Sequence, residues 1–127
     1  MPLHVRVDPD LNVIFVYGEG VVTDRDLLQY VKAYLGGEDL RGHDELFDLS
    51  RADLLDLTYA GLAAVAEAAA ATDPEADPVK IAILVSETLQ MGLSRLYQSL
   101  RESKGGRRHT RVFLDEAECR EWLGIPS

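Results

Sequence analysis

VKIAILVSETLQMGLSRLYQSLRES, residues 79–103, decides the fold. Its first eight residues are apolar on both faces of an extended chain, with Val79, Ile81, Ile83 and Val85 against Ala82 and Leu84. A strand of that kind is buried on both sides, which places it at the centre of a sheet with parallel neighbours. The spacing then changes. Leu89, Leu93, Leu96, Tyr97 and Leu100 recur at helical intervals and predict an amphipathic helix from about Glu87 to Ser103. KGGRR at 104–108 is a basic loop, and TRVFLD at 110–115 is a further strand. Strand, helix and strand in that order form a parallel, right-handed crossover unit.

The same alternation runs outward in both directions. LHVRVD at 3–8 sets Leu3, Val5 and Val7 against His4, Arg6 and Asp8, the pattern of a half-buried strand at a sheet edge. PDLN at 9–12 is a turn, and NVIFVYGEG at 12–20 reads as an interior strand, so these two pair as a hairpin. Thr23 caps a helix that carries Asp24 and Asp26 in its first turn, where the dipole favours anions. Its apolar face is Leu27, Leu28, Val31, Tyr34 and Leu35, and Gly36-Gly37 ends it. ELFDLS at 45–50 is a short strand. TYAGLAAVAEAAAAT at 58–72 is an alanine-rich helix with Tyr59, Leu62, Ala63 and Ala66 on one stripe. DPEADP at 73–78 is a proline-broken loop. Asp115 caps the last helix, with Glu118 completing a capping box, Cys119, Trp122 and Leu123 facing inward, and Gly124 as the stop.

The expected order is therefore β-β-α-β-α-β-α-β-α. It gives a single α/β domain over residues 1–127, with a five-stranded mixed sheet, an antiparallel edge strand and four helices. Sequential strand order with right-handed crossovers puts the crossover helices on one face. The central strands are apolar on both faces. Either a helix crosses to cover the second face, or a second copy of the chain does, through that face or an apolar patch near Met91. The latter is the expectation of a homodimer.

Composition limits the function. Thirteen Lys and Arg against twenty-two Asp and Glu give a net charge of −9, which repels phosphate backbones and makes nucleic acid an unsuitable partner. No apolar run reaches the ~20 residues of a membrane span, and the N-terminus lacks a signal peptide's apolar core, so a cytoplasmic location is expected. The single Cys119 excludes an internal disulfide and a multi-cysteine zinc site; it reads as a small buried hydrophobe. His4, His43 and His109 lie in separate segments without metal-ligand spacing, and no metal or cofactor is implied. GEG at 18–20 lacks the third glycine of a dinucleotide fingerprint. No catalytic residues are assigned. Asp48, inside an otherwise apolar strand, needs a partner, and Arg51 is the candidate. Arg95, Tyr97 and Arg101 on the third helix, and Lys104, Arg107, Arg108, His109 and Arg111 beyond it, are the places where an anionic group or an acidic partner surface would be met.

The chain resembles STAS-type domains, and in particular the bacterial SpoIIAA-like family. FDLSRADLLDLTYAGLAAVA at 47–66 is similar to the STAS segment in which a strand ending D-L-S is followed by D-S-S-G and a helix. Gly92, Arg95 and Tyr97 match a G-x-x-R-x-[FY] element, and Phe113, Asp115, Ala117, Trp122 and Leu123 match the family's ending. The resemblance implies a non-catalytic interaction or regulatory module with a protein partner, and no enzyme. It also makes Thr58 the candidate phosphoacceptor, although the sequence reads D-L-T-Y-A-G-L where regulatory members read D-S-S-G-L, and a plain N-cap explains the residue. Similarity of the group to CRAL-TRIO domains implies the alternative, a binder of a small apolar or amphipathic ligand. The expected rim for such a ligand is the C-terminal strand ends, with Asp48, Ser50, Thr58, Ser86, Thr88 and Asp115, together with Arg95 and Tyr97, while Tyr30, Tyr34 and Tyr97 line a cleft.

Overall fold

In the computed structural model, residues 2–35, 42–72, 79–86, 88–103 and 109–126 are described. Five strands make one sheet: β1 (Leu3–Asp8), β2 (Val13–Gly18), β4 (Asp44–Asp48), β6 (Lys80–Leu84) and β7 (His109–Phe113), in the spatial order β1-β2-β4-β6-β7. β1 runs antiparallel to β2, and every other neighbour is parallel. The hairpin turn holds Asn12 at φ 54°, a conformation that asparagine tolerates. The mixed sheet with its antiparallel edge is thus the one expected.

Two further strands were not expected. β3 (Gly20–Thr23) and β5 (Ala52–Asp56) form a separate two-stranded parallel ribbon. It prolongs the β2–β4 partnership past the C-terminal edge of the sheet, because each short strand follows its parent after a brief break. Gly18 and Gly20 make that break. A Cβ on Gly18 would come within 2.9 Å of Val22, and Gly20 sits at φ 68°, which side chains rarely adopt.

Helices α1 (Asp24–Tyr30), α2 (Tyr59–Ala70) and α3 (Thr88–Ser103) are the crossovers. α1 passes at Val31–Leu35 into a π-helical turn rather than ending as one uniform helix, and Gly36-Gly37 lies outside the described residues. All three pack on one sheet face. Tyr30, Val31, Leu35, Val65 and Ala69 meet Ile14, Val16, Phe47, Ile81 and Ile83 there. α4 (Glu116–Leu123) follows the last strand and is not a crossover, so no handedness rule holds it to that face. It folds onto the opposite one, where Cys119 and Leu123 meet Val13, Leu46, Ala82, Leu84 and Phe113. A helix therefore covers the second face, and Met91 packs against the first core, so both surfaces expected to join a second copy are used within the chain.

Local details also depart from expectation. The reciprocal capping box is at α1, where Thr23 and Asp26 exchange bonds; Asp115 accepts one bond from the Ala117 N–H at 2.8 Å. Tyr59, expected on the buried stripe of α2, is 65% exposed, because Leu62, Val65, Ala66 and Ala69 form that stripe instead. The basic loop and the proline-broken loop lie outside the described residues; His109 and Arg111 are exposed on β7.

Candidate functional site

The C-terminal edge of the sheet gathers three of the expected rim residues. Asp48 is buried at the end of β4 and accepts the Ser50 N–H at 2.8 Å and the Ser50 hydroxyl. Arg51 Nε lies 3.7 Å from Asp48 and its guanidinium stacks over Tyr17, so the expected Arg51 partner is present. The Ser86 hydroxyl donates to the Ser50 carbonyl at 3.4 Å, and Gln90 bridges Ser86 N–H and the Ala52 carbonyl. The polar groups of this cluster are thus directed at one another. Asp115 caps α4, Arg95 is exposed on α3, and the Thr88 side chain lies outside the described residues.

Thr58 is held in a second polar cluster. Its hydroxyl accepts the Gly61 N–H at 2.9 Å and donates to Asp24 at 2.9 Å, and its own N–H donates to the same carboxylate at 3.0 Å. Asp24 opens α1, so one carboxylate ties the N-termini of both helices together and supplies the negative charge that the α2 dipole favours. Gly61 is required beneath it, because a Cβ at that position would overlap Asp24.

Between α1, α2, α3 and the sheet lies an apolar cavity of about 60 Å³. Leu27, Leu62, Val65, Ile81, Ile83 and Leu93 supply much of its wall, and Tyr30 and Tyr97 line it as expected; Tyr34 instead lines an outer cleft. The informative residue here is Glu45, which is 2% exposed on the central strand β4. Its carboxylate accepts the Tyr30 hydroxyl at 2.7 Å, and Ser94 on α3 adds a third polar group to the lining. Tyr30 is fixed in turn by edge-on packing against Phe47 and stacking on Tyr34. Sequence reasoning passed over Glu45 while singling out Asp48 in the same strand. The signal was weaker than for Asp48, because Glu45 stood at the first position of the expected strand ELFDLS, whereas β4 begins at Asp44.

The topology has a parallel among solved structures. An uncharacterized protein from the DUF3478 family with a SpoIIAA-like fold, from Shewanella loihica PV-4, superposes at a TM-score of 0.60 over 95% of this chain and 93% of its own, at 16% identity. The chain has a SpoIIAA-like fold. No protein-family model and no curated protein matches it. Within this SpoIIAA-like fold no group of three or more His, Cys, Asp or Glu among the described residues is placed to hold a metal ion, and no described helix is long and apolar enough to cross a membrane. Cys119 is fully buried, as expected; burial first, then the charges of Glu116, Asp48, Asp115 and Glu118, push its thiol up to about 12. A thiol so raised is a poor nucleophile.

Proposed function

We propose that the protein is a non-catalytic binding module whose ligand is a small, mostly apolar molecule with one polar group, held in the cavity between α1–α3 and the sheet. The Glu45–Tyr30 pair carries this reading. A buried carboxyl and phenol inside an apolar chamber provide an orienting polar contact of the kind that small-molecule sites use. The volume limits the ligand. A water needs roughly 10–15 Å³ of such space and an engineered cavity that takes benzene has about 150 Å³, so 60 Å³ suits a short chain and is too small for a lipid. The test is methyl NMR of the full chain titrated with short alcohols, amines and carboxylic acids. Shifts confined to Leu27, Leu62, Val65 and Ile83, and lost in Val65→Phe, support the reading. Unchanged methyl resonances with every probe refute it.

A second reading, a regulatory module with a protein partner, is favoured by the ribbon. Val21 and Leu54 pair on its outer side and are 48% and 51% exposed, with Asp53 and Asp56 exposed beside them. An apolar ridge with an acidic border suits a partner segment that is apolar and basic. A photo-crosslinker at Leu54 in the native host should capture one partner whose binding Val21→Ser abolishes; a capture that Val21→Ser leaves intact would exclude the ridge.

A further inference from the structure

We infer that the free edge of β1 is a self-association surface, at which two copies join their sheets into one continuous ten-stranded sheet. The argument begins with the ladder. Glu19 N–H donates to the Pro2 carbonyl at 2.8 Å, so the pair Pro2–Glu19 is hydrogen-bonded. Hydrogen-bonded and non-bonded pairs alternate along an antiparallel ladder. His4, Arg6 and Asp8 therefore bond to β2, whereas Leu3, Val5 and Val7 turn their N–H and C=O groups away from the sheet. Among the described residues nothing bonds to those outward groups.

The devices that normally blunt an edge strand are few: Pro2 and Pro9 flank the strand without entering it, and its charges, Arg6 and Asp8, pair with each other. Residues 3–8 contain no proline and no lysine, and the pairing of β1 with β2 is unbroken by any bulge. Val7 is 36% exposed. Beside the edge, between β1 and α1, runs an open cleft of about 510 Å³ in which Leu3, Val5 and Tyr34 stand beside Asp26, Gln29 and Lys32.

A second copy fits this surface better than any other occupant. In an antiparallel pairing centred on Val5, each Val5 faces its symmetry mate and Leu3 faces Val7 of the other copy. All three outward N–H and all three outward C=O groups of each strand are then paired. Side chains opposite one another lie on the same face, so the apolar row Leu3, Val5, Val7 of each copy extends into the cleft of the other. That is the self-complementary interface a two-fold dimer requires. Charge points the same way. A chain of net charge −9 repels its own copies over most of its surface, but the charged side chains of β1 are Arg6 and Asp8, already 3.6 Å apart. β1 is locally neutral.

The experiment uses the full chain. Sedimentation from micromolar to millimolar concentration should show the mass rising from 14.1 kDa toward 2 × 14.1 = 28.2 kDa. Hydrogen exchange at Leu3, Val5 and Val7 should slow with concentration while exchange at His4 and Arg6 stays unchanged. Val5→Pro removes an outward N–H that the monomer does not use, and Val7→Lys places a charge at the edge; each should weaken association about tenfold or more. A monomer mass at every concentration overturns the inference. So does a dimer that both variants leave intact, or whose formation leaves Leu3, Val5 and Val7 exchange unchanged; this last readout decides the matter even where a variant fails to fold.

Discussion

Replacing Gly61 with alanine should destabilise the protein, against the usual sign for a helical glycine. Alanine in a helix interior is ordinarily better than glycine by about 0.5–1 kcal/mol. At position 61 the new methyl would overlap the Asp24 carboxylate, which would have to leave the α2 N-terminus. It would then lose the Thr58 N–H at 3.0 Å and the Thr58 hydroxyl at 2.9 Å. Hydrogen bonds to a charged group contribute about 1.5–3 kcal/mol when buried. This junction lies at the surface, so the set together is taken at the low end, about 1.5 kcal/mol. The expected balance is a net loss of about 0.5–1 kcal/mol, or a fall in Tm of roughly 2–5 °C for a chain of this size. Urea unfolding of a double-mutant cycle isolates the cause. With Asp24→Ala already in place, Gly61→Ala should become stabilising by about 0.5–1 kcal/mol, a coupling of about 1.5 kcal/mol between the two sites. If Gly61→Ala stabilises the unmodified chain, or if the two changes add without coupling, the account of the α1–α2 junction is wrong.

Thr58→Ala should cost about 1 kcal/mol by loss of the cap, and protein from the native host should carry no phosphate on Thr58, since that hydroxyl already serves Gly61 and Asp24; intact-mass measurement checks this. Tyr30→Phe should destabilise by about 1–3 kcal/mol in the same unfolding assay, by removing the phenol donor from the buried Glu45. Cys119 should resist thiol reagents in the folded chain. Its folded pKa is raised above the unfolded value of 9.0, so its contribution is fully present below pH 9 and is lost as pH rises toward about 12, where the unfolded chain binds fewer protons. Cys119→Val should therefore lose less stability than the unmodified chain between pH 9 and 12.

The main sheet and the four helices were legible because their signals are periodic and local. The two apolar faces of VKIAILVS set β6 in the interior of the sheet, although the middle strand is β4, and the alternation of LHVRVD set β1 at the edge. The β3–β5 ribbon was not legible. Each of its strands is four or five residues long, and only their partnership across more than thirty residues makes them strands. Glu45 and Asp48 show the same limit at the site. They occupy the same strand on opposite faces, and what distinguishes them is what lies above each. Tyr30, a helix distant in sequence, roofs Glu45, whereas the adjacent turn with Ser50 and Arg51 satisfies Asp48. Tyr59 was misplaced for a related reason: helical spacing gives the relative positions on α2, while packing against α1 and α3 determines which stripe turns inward.

The second sheet face is covered within the chain, by α4 and by side chains, whereas the edge of β1 is not. α4 is only eight residues long and lies mainly against β6 and β7, so Phe15 on β2 packs at the margin of its core and Tyr17 is only half-buried. Side chains complete the cover of those rings. Arg6 lies 4.4 Å from the centre of Phe15 with Arg120 on the same ring at 5.5 Å, and Arg51 and His4 both stack on Tyr17. Guanidinium groups suit this position because they are flat and weakly hydrated, and they shield the ring while their edges stay in water. Carboxylates hold them in turn, Asp8 for Arg6, Asp48 for Arg51 and Glu116 for Arg120, so the cover is near neutral. At the far side Lys80 closes the end of α4, donating to the Trp122 carbonyl at 2.9 Å where the helix dipole is negative. Side chains can cover the faces of a sheet in this way. They cannot pair the backbone of its edge, and the outward groups of Leu3, Val5 and Val7 are the ones that the strand of a second copy would bond under the proposed self-association.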